Sequence, residues 1–356
     1  YKVGKCTANC GFCPQARNSQ SNAELLSRVS WPAFPMSSVL KKIADPGELI
    51  YCKSDLHIGG HAANVSINLT KLGLSNDEIT VIGPIGNDIF GKFIENILNS
   101  YLKYVNLQKI DEKTSKDIVI VLKNEDRRYH AEPSSNLFLD INFITNFIKQ
   151  EKPFIFYLGG AGLLGNFDDH LEEIFAEAKK FGWITFLDPV SPYKKDWDFI
   201  IPALQYTDIF HCNDYELKHI TKKENLVTSL KELSDQGVKL PIITLGAKGL
   251  ITLFNDKIIS QPPFDVQVID PTGAGDAFSA NFIWELSKTT IKNAINSKIE
   301  NLSHKQLKYI LMSSQAVSAA CITAVGTTKG VDRHKIDEII NTKGKIILNK
   351  TIEKKI

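Results

Sequence analysis

Asp270-Pro271-Thr272-Gly273-Ala274-Gly275-Asp276-Ala277-Phe278 carries the residue types of a phosphate cradle with a base built into it. Gly273 and Gly275 let the backbone turn sharply and bring its N–H groups close to an anion. Ala277 to Leu286 has helical patterning, so those amides fall where a helix begins. Unpaired donors and the positive end of the helix dipole then converge on one spot. Asp276 at that spot repels a bound phosphate unless it has a proton to take. Its chemistry is therefore that of a general base for a hydroxyl attacking a phosphoryl group. The plainer reading of such a string is an N-terminal capping Asp behind a glycine turn.

The elements around this turn must hold it in place. Phe264 to Ile269 alternates apolar and polar residues and predicts a half-buried strand feeding the turn. Further back, Phe154–Leu158, Ile184–Leu187, Asp208–His211 and Ile242–Leu245 read as buried strands. Asp168–Phe181 and Leu226–Gln236 read as helices between them. That alternation predicts an α/β fold, a parallel sheet covered by helices on both faces. Glu48–His57 and Lys116–His130 are more polar and alternate, which suits a small exposed sheet. Lys305–Val325 is a long helical run ending near Gly326, and the charged stretch beyond 335 is expected to be a tail without chemistry.

The string from Asp270 to Phe278 closely resembles the C-terminal signature of the ribokinase-like (PfkB) carbohydrate kinases, and other segments match in order. Gly59-Gly60-His61-Ala62-Ala63-Asn64 looks like the N-terminal signature. Gly83, Gly86, Asp88 and Gly91 match the next segment. Asn213 and Glu216 resemble the Asn-x-x-Glu pair, and Thr244, Gly246 and Gly249 the nucleotide-phosphate turn. The resemblance runs from about Gly47 to about Gly330. It implies a doubly wound, mostly parallel sheet with a small β lid (about 48–58 and 116–130), in a kinase domain of 29–335. It implies ATP- and Mg2+-dependent phosphorylation of an alcohol on a sugar or nucleoside. Asp276 would be the base, and the amides of Gly273, Ala274 and Gly275 would stabilise the transferring phosphoryl group. Gly59, Gly60 and Asn64 would meet the substrate. Asn213 and Glu216 would organise Mg2+, while Thr244, Gly246, Gly249 and Thr272 would hold the nucleotide. Residues 315–326 would wall the adenine. Asp270 would bind a monovalent cation such as K+ or simply cap the turn.

Plainer readings stand beside these. Asn213 and Glu216 also suit a solvated strand-to-helix junction, Gly59-Gly60 an ordinary turn, and His57 and His61 structural positions. A catalytically impaired sugar- or nucleotide-binding protein is the second class of function. It is suggested by the stretch where the family's first strand ends near a substrate-binding Asp: here no acid occurs between Glu24 and Asp45, and Pro32 and Pro35 interrupt any strand.

Two other glycine strings mimic nucleotide sites. Gly86-x4-Gly91-Lys92 imitates a P-loop, but Phe93 stands where Ser or Thr would hold magnesium. Gly160-Ala161-Gly162-Leu163-Leu164-Gly165 follows a strand and has Asp188 after the next one, which is the dinucleotide fingerprint and keeps an NAD-dependent dehydrogenase as a minor alternative. At the front, Cys6-x3-Cys10-x2-Cys13 resembles the cluster loop of radical S-adenosylmethionine enzymes of the biotin synthase-like group. The long βα barrel such enzymes need does not follow, so residues 1–28 read as a truncated or fused remnant, and an iron–sulfur cluster is not expected.

The 356 residues can bury a large core, and a net charge of +2 gives no argument for nucleic acid or a membrane surface. No apolar run approaches a membrane span, and no secretory pattern opens the chain. Cys52, Cys212 and Cys321 are scattered, which favours a reducing cytoplasm over a disulfide framework. Exposed lid strands suggest a homodimer through sheet edges.

Overall fold

The computed structural model describes residues 43–50, 56–120, 128–289 and 299–356. The cysteine loop with Cys6, Cys10 and Cys13, the expected first strand, and residues 51–55 of the run from Glu48 to His57 lie outside the described residues. The chain divides into two compact units, Tyr1–His57 with Lys116–Glu132, and Ile58–Ser115 with Pro133–Ile356.

The described part of the first unit is a small antiparallel ladder. A strand at Lys116–Ile120 pairs with one at Arg128–Glu132, in register from Lys116 opposite Glu132 to Ile120 opposite Arg128. An ion pair between Lys116 and Glu132, at 2.6 Å, closes one end, and the Asp117 carboxylate accepts from the His130 amide. The run at 116–130, expected in a small exposed sheet, supplies strands to this ladder.

In the second unit, helix α1 (His61–Leu72) leads to β1 (Thr80–Gly86), α2 (Ile89–Tyr101) and β2 (Tyr104–Ile110), with β1 and β2 parallel. Then come α3 (Ile141–Gln150), β3 (Ile155–Ala161), α4 (Leu171–Lys180), β4 (Ile184–Pro189), β5 (Ile209–Asn213), α5 (Asp214–Thr221), α6 (Leu226–Asp235), β6 (Leu240–Thr244), β7 (Leu250–Phe254) and β8 (Lys257–Gln261). After the Gly273 turn follow α7 (Ala274–Ser287), α8 (His304–Cys321), α9 (Arg333–Ile339), α10 (Lys345–Lys350) and β9 (Ile352–Lys355). The central sheet has seven strands in the order β9-β8-β7-β6-β5-β4-β3. Strands β3 to β6 run parallel, and β7 to β9 extend the sheet antiparallel.

Side chains alternate across a strand, so adjacent residues feed opposite cores. Phe186, Ile209 and Ile242 enter one core, packed under α1, α7 and α8. Their neighbours Leu187, Phe210 and Ile243 enter the other, under α3, α4, α5 and α6. This is the doubly wound arrangement, and it explains why the strands read as unbroken apolar runs.

Four expectations are corrected. Phe264–Ile269 forms no strand. Pro262 and Pro263 remove two backbone donors where β8 ends, and the chain leaves the sheet. The amides of Ile269 and Asp270 instead donate to the Ile322 carbonyl at 2.8 and 3.2 Å. The helix read from Asp168 begins as a 3-10 turn, Gly165–His170, before α4, and α8 ends at Cys321 rather than Val325. The residues beyond 335 pack onto the sheet, where β9 pairs with β8 and Glu353 receives Lys257 at 2.6 Å and Lys308 at 2.9 Å. Those two lysines pull the Glu353 carboxyl down to about 2. Among the described residues no helix is long and apolar enough to cross a membrane.

Phe186 is fully buried, with edge contacts to the rings of Tyr157 at 5.1 Å and Phe282 at 6.1 Å. Phe186→Ala is expected to cost about 3–5 kcal/mol, the usual range for emptying an aromatic core site. Denaturant titration should show a lower midpoint with an unchanged slope.

Candidate active site

Helix α7 begins at Gly273, whose φ of 81° is left-handed, and among the described residues no side chain caps it. A Cβ on Gly273 would lie 2.5 Å from the Thr327 carbonyl oxygen, so glycine is required twice over, by conformation and by space. Helix α1 begins in the same way, at Gly60 and with no side-chain cap. The two uncapped N-termini converge on Asp276. Asn64, in α1, donates from Nδ2 to Asp276 Oδ2 at 2.7 Å, and His61 Nε2 lies 3.9 Å from Asp276 Oδ1. Gly59 and Gly60 are exposed, and among the described residues a Cβ on either would meet nothing within 4 Å.

Asp276 is buried, and burial pushes its carboxyl upward, helped by the Asp188 charge. His61, the Asn64 hydrogen bond and His211 pull against that, and the net direction is up. Behind it lies a second buried group that sequence reasoning missed. Asp188, at the end of β4, accepts from Ser279 Oγ at 2.8 Å and Tyr157 Oη at 3.0 Å, and pairs with His211 Nδ1 at 3.1 Å. Burial acts to raise the Asp188 carboxyl, but His211, His61 and Ser279 together hold it below the usual carboxylate range. His211 Nε2 reaches Thr244 Oγ1 at 3.4 Å, and its ring stacks on Phe278 at 5.0 Å. The signal for this group was period two along β5, which puts His211 on the same side as Asn213, and the i, i+3 spacing of Asp276 and Ser279 on α7.

Asn213 and Glu216 form a reciprocal capping box at the start of α5. The Asn213 amide donates to Glu216 Oε2, and the Glu216 amide donates to Asn213 Oδ1, both at 2.9 Å. The junction reading of this pair is thus present as geometry. Burial, with the Asp188 charge, raises the Glu216 carboxyl to about 7. The Glu216 carboxyl, raised by burial and by the Asp188 charge, is a group whose ionised form a cation would favour, so Asn213 and Glu216 fit magnesium with its waters. The Thr272 hydroxyl is buried without a hydrogen-bond partner among the described residues, as is Asn64 Oδ1. Such orphans commonly mark a water or ligand position.

Asp270 is occupied: Oδ1 accepts from the Thr272 amide at 2.9 Å and Oδ2 from the Gly326 amide at 3.0 Å. That is a turn cap, tying the glycine loop to the chain after α8. Ser318 adds a second tie, donating to the Ala274 carbonyl at 2.8 Å. Gln315 is buried and donates to Gln261. Thr244 ends β6, and Gly246 to Lys248 make a single 3-10 turn before Gly249. Cys212 and Cys321 are free, buried thiols.

Both imitation sites fail for one physical reason: a carboxylate already fills the amides a phosphate would need. In the P-loop imitation, Asp88 Oδ1 accepts from the amides of Phe90 and Gly91 at 3.1 and 2.8 Å and caps α2. In the dinucleotide imitation, the fully buried Asp168 accepts from the amides of Gly162 and Leu164 at 2.8 and 2.9 Å. Asp188, the acid expected to meet a ribose, is committed to His211, Ser279 and Tyr157. The dehydrogenase alternative is therefore dropped.

The raised Glu216 carboxyl has a measurable consequence. Folded Glu216 keeps its proton up to about pH 7, whereas the unfolded residue releases it near 4.5. Unfolding then releases a proton across that window, so stability falls as pH rises from about 5 to 7. Glu216→Gln keeps the capping box and removes this slope. Denaturation at a series of pH values should show the variant gaining on the parent through that window; a constant difference would place the Glu216 carboxyl in ordinary solvent.

The comparisons with known proteins agree with this geometry. The pfkB family carbohydrate kinase profile matches residues 45–333. The ATP-dependent 6-phosphofructokinase of Thermoanaerobacterium thermosaccharolyticum is 26% identical over 272 residues, covering 71% of this chain and 80% of that protein. A solved ribokinase from Giardia lamblia superposes with a TM-score of 0.72 at 18% identity, covering 84% of this chain and 94% of its own. Arabidopsis thaliana ribokinase complexed with ribose and ATP gives 0.63 at 21%, covering 85% and 93%. With a family match over most of its length and the glycine turn, the Asp and the doubly wound sheet all in place, the chain belongs to the pfkB family of carbohydrate kinases.

Proposed function

We propose that this kinase transfers the γ-phosphoryl group of ATP to an alcohol of a sugar or nucleoside, with Asp276 as general base. The observation that carries the reading is a buried carboxylate in the first turn of a helix whose N-terminus no side chain caps. A relative bearing the name ATP-dependent 6-phosphofructokinase and a similar fold complexed with ribose and ATP support the acceptor class and the nucleotide.

In this reading the acceptor hydroxyl gives its proton to Asp276 while its oxygen bonds to phosphorus. The bond from phosphorus to the bridging oxygen breaks, and that oxygen leaves on the nucleoside diphosphate with the electron pair. The amides of Gly273, Ala274 and Gly275 stabilise the charge on the transferring group, at the positive end of α7. Asn64 holds the Asp276 carboxylate from one side, and its unpartnered Oδ1 offers an acceptor to a substrate hydroxyl beside Gly59 and Gly60. Thr244, Gly246, Gly249 and Thr272 hold the nucleotide phosphates. Asn213 and Glu216 would hold magnesium with its waters, and the ion would supply charge neutralisation for the phosphates.

A panel of sugars and nucleosides with ADP release as readout tests the reading directly; no turnover with any acceptor would leave the binding-protein alternative. Asp276→Asn keeps size and capping ability but cannot take the proton, so turnover should fall by roughly 10²–10⁴-fold with nucleotide affinity retained. A merely capping Asp would leave turnover nearly intact. Asn64→Ala should weaken acceptor binding by roughly 1–3 kcal/mol with little change for ATP, measured by calorimetry on both ligands. Equal losses would indicate a folding defect.

A further inference from the structure

Beside Asp276 stands a histidine whose position is built rather than incidental. His61 is the first residue of α1, and its Nε2 lies 3.9 Å from Asp276 Oδ1, an ion-pair separation. Strand β3 makes room for it. A Cβ on Gly159 would lie 2.4 Å from His61 Cβ and 2.6 Å from Tyr157 Oη, and one on Gly160 would lie 3.4 Å from His61 Nδ1. The side chain is 27% exposed. We propose that His61 is a positioning residue of the phosphoryl-transfer centre: its imidazolium, beside Asp276, keeps that carboxylate ionised and aimed, ready to take the acceptor's proton.

The proposal rests on Asp276 being the base, and it resolves a difficulty in that reading. A carboxyl buried next to the Asp188 charge is driven toward its neutral form, which cannot accept a proton. Asn64 alone gives one hydrogen bond, and a neutral donor supplies less than a charge does. The groups facing His61 from the elements around it are Asp276 on α7, Asp188 on β4 and Glu216 on α5, all acidic. Tyr157 on β3 and His211 on β5 are engaged with Asp188. Burial works to lower the His61 imidazole, but Asp276, Asp188 and Glu216 outweigh it, so its charged form persists above the usual histidine range.

The sign of the pH dependence follows. Turnover rises on the acid side as Asp276 ionises, and falls on the alkaline side as His61 loses its proton. His61→Gln removes the charge, so the acid limb should move to higher pH by about one unit and the alkaline limb assigned to His61 should vanish. His61→Lys keeps a positive charge, so the acid limb should stay and the alkaline limb should move toward the lysine range. A histidine that only packed would lower turnover by the same factor at every pH, and a His61→Gln profile of unchanged shape overturns the proposal. A second measurement needs no turnover: in the full chain without substrate, the NMR titration midpoint of the His61 ring should fall in Asp276→Asn. An unchanged midpoint overturns the pairing. A lowered midpoint in a chain that phosphorylates no acceptor would support the pair and place the failure in the phosphotransfer reading.

Discussion

The site depends on one electrostatic arrangement, a carboxylate held where two helix N-termini meet. Helices α1 and α7 both start at glycines without side-chain caps, so both leave amide donors and the positive ends of their dipoles unspent. Asp276 lies between them, bonded to Asn64 and next to His61. Without that positive surrounding, a carboxylate this buried would be driven to its neutral form. With it, the same burial that raises the Asp276 carboxyl brings it closer to the range where a base works.

The contrast with the other acidic residues near glycine turns makes the point sharper. Asp88 accepts three amide hydrogen bonds, from Phe90, Gly91 and Thr114, and Asp168 accepts two, and each carboxylate closes its turn. Asp270 does the same through Thr272 and Gly326. These three carboxylates have spent their acceptors on backbone. Asp276 accepts from a side chain of another helix, so its orientation is set by how α1 packs on α7 and not by its own turn. A residue of that kind is free for chemistry, and it is also sensitive to anything that shifts the two helices.

Support for this packing comes from far along the chain. The loop before Asp276 is tied to the end of α8 by the Asp270–Gly326 and Ser318–Ala274 hydrogen bonds. The Thr327 hydroxyl donates to the Ile58 carbonyl at 3.0 Å, which links the same region to the turn before α1. The residues after 335, which read as a charged tail, contribute the edge strand β9 and the Glu353 cluster. Lys257, Lys308 and Glu353 look like scattered surface charge until β8, α8 and β9 bring them together.

How much was legible varies with the range of the interaction. Strand and helix types follow from periods of two and about 3.6 residues, which are local, so the strands whose ends carry Asp188, Asn213 and Thr244 and the helix after Gly273 could be read directly. The Gly273 turn and the Asn213–Glu216 capping box are local too, each closed within a few residues. The strand expected at Phe264–Ile269 had the right alternation, but no neighbouring strand meets it after Pro262 and Pro263, and pairing is a tertiary event. The two imitation glycine loops had the right spacing; only the placement of Asp88 and Asp168 decided that their amides were already satisfied. The network of Asp188, His211, Ser279 and Tyr157 joins residues 23 to 91 positions apart in hydrogen bonding. His61 and Asp276 are further apart still, on different helices. The sequence by itself determined the glycine turns and which segments of the parallel part of the sheet are strands or helices, because those are set by neighbours along the chain. The tertiary structure alone decided which carboxylates are spent and which is poised, because burial and the charges across the site come from residues that only folding brings together.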